Sequence, residues 1–307
     1  MKAVRLQQYG GPEQLKFEDA PDPRPDKGQI LVRVHATSVN PWDYKLASGH
    51  FSKMIPMRLP YSPGSDFSGV VESLGAGVSE FKAGDEVFGH CPFGAYAQLA
   101  AVPAATSAPK PQKLSHAEAA SVAVAAQTAW QGLFEEGRLE RGQTVLIHAA
   151  AGGVGSFAVQ LAHWKGAKVL ATASADNEAY LRGLGADQVI DYKTTPFEKI
   201  AKDIDLVLDL IGGQTQERSF AVLKPGGALI ATASPPSQDL AAKYNVRAKM
   251  MGMQPSGERL RKLGELLDAG KIKPTVTKIF PLASARDAWQ LSQSGHTRGK
   301  IVLEVGA

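Results

Sequence analysis

Residues 144–155, Thr144-Val145-Leu146-Ile147-His148-Ala149-Ala150-Ala151-Gly152-Gly153-Val154-Gly155, constrain the fold more than any other part of this chain. An apolar strand over 144–149 ends in a glycine-rich turn that opens directly into a helix over 154–165. Gly152 and Gly153 let the backbone approach a pyrophosphate, and Gly155 lets helix and strand pack closely. The helix N-terminus then faces the anion. The spacing G-x-G-x-x-G is met only at Gly152 and Gly155, because Ala150 holds the first position. The strand–turn–helix setting is the context that gives the spacing meaning. The competing reading is a tight structural turn in a fold that binds no nucleotide.

Beyond Lys165 the strand–helix rhythm continues. Strands are expected at Lys168–Ala173, Gln188–Asp191, 206–211 and 228–233, with helices over 178–184 and 214–223. The strands are apolar without strict alternation, as a sheet buried on both faces requires. Strand–helix repetition makes that sheet parallel, with right-handed crossovers. The stretch 246–253, with Met250, Met251 and Met253, reads as its last strand, the methionines filling core or interface. The first ~120 residues differ. Short strands at 30–39, 67–71, 86–88 and 95–102, punctuated by Gly and Pro, suggest a compact antiparallel barrel. Ser115-His116-Ala117-Glu118 has the form of a capping box and opens a helix expected to reach Glu136. A further helix over 258–269 and a strand over 301–305 close the chain, and the last strand resembles the first segment enough to return to it.

Composition narrows the partners. The 307 residues suggest two domains, and a net charge of +4 is too thin an excess for nucleic acid. The densest basic cluster, Arg259, Arg261 and Lys262, reads as a solvated helix face. Cys91 is the only cysteine, so no internal disulfide forms and a reducing compartment is expected. The N-terminus lacks the apolar core of a signal peptide, and no window is apolar over the ~18 residues of a membrane span. A cytoplasmic protein with no membrane partner is expected.

The end of the second parallel strand selects the dinucleotide. A site for NADH usually carries an acid there to bind the adenosine ribose. Here the strand ends Thr172-Ala173-Ser174, leaving room for a phosphate and removing like-charge repulsion. Ser174, Asn177 and Tyr192 can donate hydrogen bonds to it, while Asp176 opposes it. NADPH is expected rather than NADH. Ser174 and Asn177 read equally well as helix caps.

Several segments occur in a set order: Asn40-Pro41-Trp42-Asp43, Pro63-Gly64-Ser65-Asp66-Phe67-Ser68-Gly69-Val70-Val71, Gly84-Asp85-Glu86-Val87 and the 150–155 turn. Leu223-Lys224-Pro225-Gly226-Gly227 and Arg298-Gly299-Lys300-Ile301-Val302 come after them. Together they resemble the zinc-free quinone oxidoreductase and enone reductase branch of the medium-chain dehydrogenase/reductase superfamily, over essentially the whole chain. The resemblance implies a GroES-like β-barrel catalytic domain of residues 1–123 completed by 272–307. It implies a Rossmann doubly wound parallel sheet over 124–271, with the cofactor in the interdomain cleft. A homodimer paired along the last sheet strand is implied by analogy.

Where zinc alcohol dehydrogenases place a catalytic Cys and His, this sequence aligns Asn40 and Ser65. His35, His50, His90 and His116 form no ligand-spaced cluster, so no metal is expected. Without a Lewis acid, a conjugated alkene or quinone is the easier acceptor, its developing charge stabilised by hydrogen-bond donors. The resemblance implies substrate-side roles for Asn40, as an amide donor, and Lys45, as proton donor or oxyanion partner. Burial would lower the Lys45 pKa toward neutrality; the alternative is a solvated surface lysine. Asp43 reads as a structural acceptor. The cofactor residues implied are Thr128, Gly152, Gly153, Val154, Ser174, Asn177, Tyr192, Ile211 and Lys300, with Thr128 and Lys300 near the nicotinamide. Thr128 and Lys300 read equally as a helix-face hydroxyl and an exposed lysine. An enoyl-thioester reductase and a non-enzymatic, cofactor-retaining RNA-binding protein remain the other readings.

Overall fold

The computed structural model describes residues 1–306. The chain forms two compact units. One comprises Met1–Val124, Pro255–Gly270 and the chain from Pro274 onward; the other comprises Ala125–Gln254 with Lys271–Lys273.

In the first unit, β1 (Lys2–Leu6) pairs antiparallel with β2 (Leu15–Asp19) in a two-stranded ribbon that the sequence pattern left unassigned. The spine of the unit is β3 (Gln29–Ser38), whose alternation buries Ile30, Val32, Val34 and Ala36. Helix α1 (Pro41–Ala47) comes next, with Asn40 at its N-cap and Pro41 in the first turn. β3 then pairs antiparallel with β4 (Asp66–Leu74), and β4 with β5 (Glu86–His90). The strand expected over 95–102 is shorter, β6 (Leu99–Pro103), because the chain at Tyr96 and Ala97 leaves β3 to bond β1. β7 (Ser107–Pro109) pairs with β5.

The single helix expected to reach Glu136 is broken. α2 (His116–Ala120) begins with the capping box that the sequence announced: Ser115 Oγ accepts from the Glu118 N–H at 3.2 Å and Glu118 Oε2 from the Ser115 N–H at 2.9 Å. It ends where the Ser121 hydroxyl donates to the Glu118 carbonyl at 2.6 Å, a local bond that competes with the helix ladder. α3 (Ala123–Trp130) resumes and widens into a π-helical turn, Gln131–Glu136. Gly132 in that turn lets the backbone approach the second unit's sheet, since a Cβ there would lie 2.8 Å from Leu208 Cδ1.

The second unit is a six-stranded parallel sheet. Its strands are β8 (Thr144–Ile147), β9 (Lys168–Ala173), β10 (Gln188–Asp191), β11 (Ile204–Asp209), β12 (Leu223–Ala231) and β13 (Arg247–Met250). The spatial order is β10-β9-β8-β11-β12-β13, so the winding reverses between β8 and β11. Such a reversal opens a crevice at the strands' carboxyl ends where nucleotides bind. The crossovers carry α4 (Gly153–Lys165), α5 (Glu178–Gly183), α6 (Gly213–Ser219) and α7 (Gln238–Tyr244). The doubly wound parallel sheet expected from the apolar strands is present. The last strand is shorter than 246–253, with Met251 buried just beyond it and Met250 half-exposed at the edge.

α8 (Gly257–Asp268) belongs to the first unit, although the expected boundary at residue 271 assigned it to the nucleotide-binding half. It buries Leu260, Leu263 and Leu267, and a Cβ on Gly257 would come within 2.8 Å of the Ala105 and Ser107 carbonyls. The basic cluster on it is not one solvated face, because Arg259 is buried while Arg261 and Lys262 are exposed. β14 (Val276–Pro281), α9 (Ala285–Gln293) and β15 (Lys300–Glu304) complete the unit. β15 lies between β14 and β3, antiparallel to β3 with Val302 opposite Ser38. The last strand therefore returns to the first segment's sheet, and α9 buries Trp289 in its core.

Candidate functional site

In the second unit Gly152, Gly153, Val154, Ser174, Asn177, Tyr192 and Ile211 lie at the carboxyl ends of the parallel strands, whereas Thr128 is on α3 and Lys300 belongs to the first unit. Gly152 is the N-cap of α4, and no side chain caps that helix or places an acid in its first turn. The leading N–H groups of a 13-residue helix are therefore left to an anion. Gly152 has an ordinary φ of −73°, so its need for glycine is a bare backbone rather than an unusual dihedral. Gly155 is different. A Cβ there would sit 2.4 Å from the Ala149 carbonyl oxygen and 2.6 Å from Ala150 Cα, which is the close helix–strand packing its position requires. A pyrophosphate fits this cradle.

Beside it, His148 is buried at the end of β8, its Nδ1 3.0 Å from Thr172 Oγ1 and its Nε2 2.9 Å from Ser219 Oγ. The Ser219 hydroxyl donates to the Thr215 carbonyl, so Nε2–H is the donor to Ser219 and Nδ1 accepts from Thr172. Burial pushes this imidazole down to about 4, outweighing the Asp209 charge that favours protonation. A neutral histidine thus ties β8, β9 and α6 together under the turn.

At the end of β9, Asn177 donates to Ser174 Oγ at 3.0 Å, leaving the Ser174 O–H to donate elsewhere. Neither side chain makes the capping bond that was the alternative reading. Tyr192 is bonded through its N–H to the Ala173 carbonyl, which brings the end of β10 against the end of β9; its side chain is exposed. Exposed Lys193 stands next to it, a cation that sequence reasoning missed by seeking Arg or Lys only at the end of β9. At the end of β11, Asp209 is wholly buried. It accepts from the Ile211 and Gly212 N–H groups at 3.0 Å and from Gln216 Nε2 at 2.9 Å. Ile211 lies in the loop this carboxylate holds, exposed, two residues past the strand expected to contain it. Thr128 is buried on α3.

The first unit contains a buried polar network that brings Asn40 and Lys300 together. Lys300 Nζ donates to the Val39 carbonyl at 3.0 Å, to Asn40 Oδ1 at 2.6 Å and to Asp66 Oδ2 at 3.3 Å. Asn40 Nδ2 donates to the same Asp66 oxygen at 2.8 Å, as does Ser38 Oγ at 2.5 Å. Asp66 Oδ1 accepts from the Val124 N–H at 2.7 Å. Lys300 is therefore neither an exposed lysine nor a side chain with protons to spare. The Asn40 amide is also largely committed, its oxygen to Lys300 and one N–H to Asp66. Sequence reasoning singled out Asp66 only as part of a motif.

Asp43, on the buried face of α1, accepts from the Asn40 N–H and from Tyr96 Oη, both at 2.9 Å; Trp289 Nε1 donates to that same Tyr96 oxygen at 3.1 Å. Burial pushes the Asp43 carboxyl up to about 7, against the lowering effect of those bonds and of the Lys300 charge. Lys45 lies on the opposite, exposed face of the helix, where the alternative reading of a solvated lysine put it.

The residues present do not fit a catalytic zinc. Cys91 is buried with Sγ 3.6 Å from the Gly64 carbonyl oxygen, and burial raises its thiol pKa. His35 and His116 stack on each other at 4.5 Å, and Ser65 lies near Asp43. Among the described residues no group of three or more His, Cys, Asp or Glu side chains is placed to hold a metal ion.

Comparison with known proteins agrees with this architecture. Residues 26–112 match the family model described as an alcohol dehydrogenase GroES-like domain, and residues 184–303 the model described as a zinc-binding dehydrogenase. The chain is 33% identical to a chloroplast envelope quinone oxidoreductase homolog of Arabidopsis thaliana, covering 99% of this chain and 98% of that one. The chain belongs to the quinone oxidoreductase branch of the medium-chain dehydrogenase/reductase superfamily. A second relative, the chloroplastic NADPH-dependent alkenal/one oxidoreductase of Arabidopsis thaliana, is 35% identical over 99% of this chain and 79% of its own. The quinone oxidoreductase of Coxiella burnetii superposes with a TM-score of 0.93 at 39% identity, over 100% of this chain and 99% of that one.

Proposed function

We propose that this chain is an NADPH-dependent reductase of quinones and α,β-unsaturated carbonyl compounds that works without zinc. One observation carries the reading. An uncapped helix N-terminus on a bare glycine turn stands beside strand ends that offer Ser174, Asn177, Tyr192 and Lys193 and no ribose-binding acid at the end of β9. The names of the relatives, quinone oxidoreductase and NADPH-dependent alkenal/one oxidoreductase, support it. Gly152, Gly153 and Val154 would hold the pyrophosphate, and the β9 and β10 ends the adenosine 2′-phosphate. When bound, the reduced nicotinamide supplies a hydride. Thr128 and Ile211 are assigned to the same cofactor, and Lys300 acts through the Asn40 amide that it holds in place.

Lys45 is assigned the proton or hydrogen bond that the reduced acceptor's oxygen requires. Lys45→Met is expected to lower kcat severalfold with little change in cofactor Kd; unchanged kinetics would return Lys45 to the solvated surface. Lys193→Glu should lower the NADPH-over-NADH preference at least about tenfold, since a like charge would face the 2′-phosphate. Equal preference in variant and wild type would refute that contact. The two-fold pairing is assigned to the open edge of β13, so light scattering should return twice 32.6 kDa. A monomer at micromolar concentration would contradict it. Among the described residues no helix is long and apolar enough to cross a membrane; with one buried cysteine, a reducing cytoplasm is the compartment proposed. The test of the activity is NADPH consumption with a naphthoquinone and with a linear enone, either of which should be reduced.

A further inference from the structure

Between Asp43 and Asp66 the chain carries no acidic residue, yet it carries Lys45, Lys53 and Arg58. The two flanking acids do not balance them, because both are buried and engaged, Asp43 with Tyr96 and Asp66 with Lys300. All three cations are exposed, and among the described residues none has an ion-pair or side-chain hydrogen-bond partner. Large apolar side chains are exposed here too: Met54 at 74% and Ile55 at 37% within the stretch, and Trp42 at 40% just before it.

The segment is fastened rather than loose. The Ile55 N–H reaches the Phe51 carbonyl at 2.7 Å, the Met57 N–H bonds Tyr9 Oη at 3.1 Å, and Arg5 holds the Pro60 carbonyl at 2.8 Å. Trp42 and Lys45, three residues apart, share the exposed face of α1, and the Trp42 ring lies 5.3 Å from that of Phe51. This face begins two residues after Asn40, on the helix that Asn40 caps.

We propose that the exposed side chains of Lys53, Met54, Ile55 and Arg58 receive the far end of the substrate whose carbonyl oxygen Lys45 serves, and that the preferred acceptors are conjugated carbonyl compounds bearing both an apolar chain and an anionic group. The inference rests on the reductase reading above. Exposed apolar side chains gain by covering one another with a hydrophobic chain. Unpartnered cations lose little hydration to an exposed anion and steer it from a distance, an effect that salt screens. A neutral acceptor uses only the first of these contributions. The anion could be a carboxylate on the chain or the phosphates of a thioester handle, which share the same contacts.

The test compares kcat/KM, with NADPH, for a linear enone, the same enone ending in a carboxylate, and an enoyl-CoA. Each is measured at low and high salt in the wild type and in a Lys53→Glu, Arg58→Glu double variant. At low salt at least one anionic acceptor should exceed the neutral one by about tenfold, and that ratio should collapse at high salt and in the variant. Preference for the carboxylate alone assigns a small acid; preference for the thioester alone assigns the phosphate handle. A wild type that reduces the neutral enone and shows no preference for either anion at low salt overturns the inference while leaving the reductase reading intact. Failure to reduce any acceptor removes that reading, and this inference with it.

Discussion

Lys300→Met is expected to destabilise the protein by roughly 3–5 kcal/mol, the cost of leaving a buried carboxylate without its cation. Asp66 is wholly inaccessible to water and Lys300 nearly so. The Ser38, Asn40 and Val124 donors would remain on Asp66. They solvate the charge in part but do not neutralise it, and the Val39 carbonyl and Asn40 Oδ1 each lose a donor at the same time. Asp66→Asn with Lys300→Met removes both charges at nearly constant shape and should recover most of the loss. Urea unfolding of the three variants separates the outcomes. A change below about 0.5 kcal/mol for Lys300→Met is what an exposed lysine would give, and it would contradict the network.

Gly155→Val is expected to abolish nucleotide binding at micromolar concentration while also costing stability. Its Cβ would have to occupy a point 2.4 Å from the Ala149 carbonyl oxygen, far inside contact distance. Both neighbours there are backbone, so no side chain can swing aside; α4 must move away from β8. Overpacking of this kind costs about 1–3 kcal/mol. The larger effect falls on the ligand, because displacement of the first turn takes the pyrophosphate donors with it. Ala149 already sits at φ +49°, a conformation with little latitude to absorb the shift. Fluorescence titration with NADPH alongside circular dichroism checks this: a folded variant with wild-type affinity would refute the cradle.

The sequence disclosed the elements whose cause is local. Unalternating apolar strands separated by helices required a parallel sheet, and the glycine turn marked its nucleotide end. The capping box at Ser115 was legible because all its partners lie within four residues. What remained hidden depends on distant pairing. Asp66 and Lys300 are 234 residues apart in sequence and meet only because β15 inserts beside β3. An inward-facing lysine at the start of a buried strand was the available signal, since such a charge needs a partner. Lys193 was missed although its neighbour Tyr192 was named, because Arg or Lys was sought only at the end of β9. Parallel pairing sets Asp191 opposite Ala173, so the residues after β10 belong to the same strand-end cluster as Ser174. The resemblance put α8 in the nucleotide-binding half, while in the structure its contacts group it with the first unit.

Coenzyme-dependent reduction, supported by this chain's own side chains with no bound metal ion, is the central claim. The most direct measurement is the rate of NADPH oxidation with a naphthoquinone, before and after exhaustive treatment with a strong chelator. The expected result is one NADPH consumed per quinone reduced to the hydroquinone, at the same rate in both samples and more slowly with NADH. Activity that vanishes with the chelator and returns on adding Zn²⁺, or no NADPH oxidation in either sample, would contradict it.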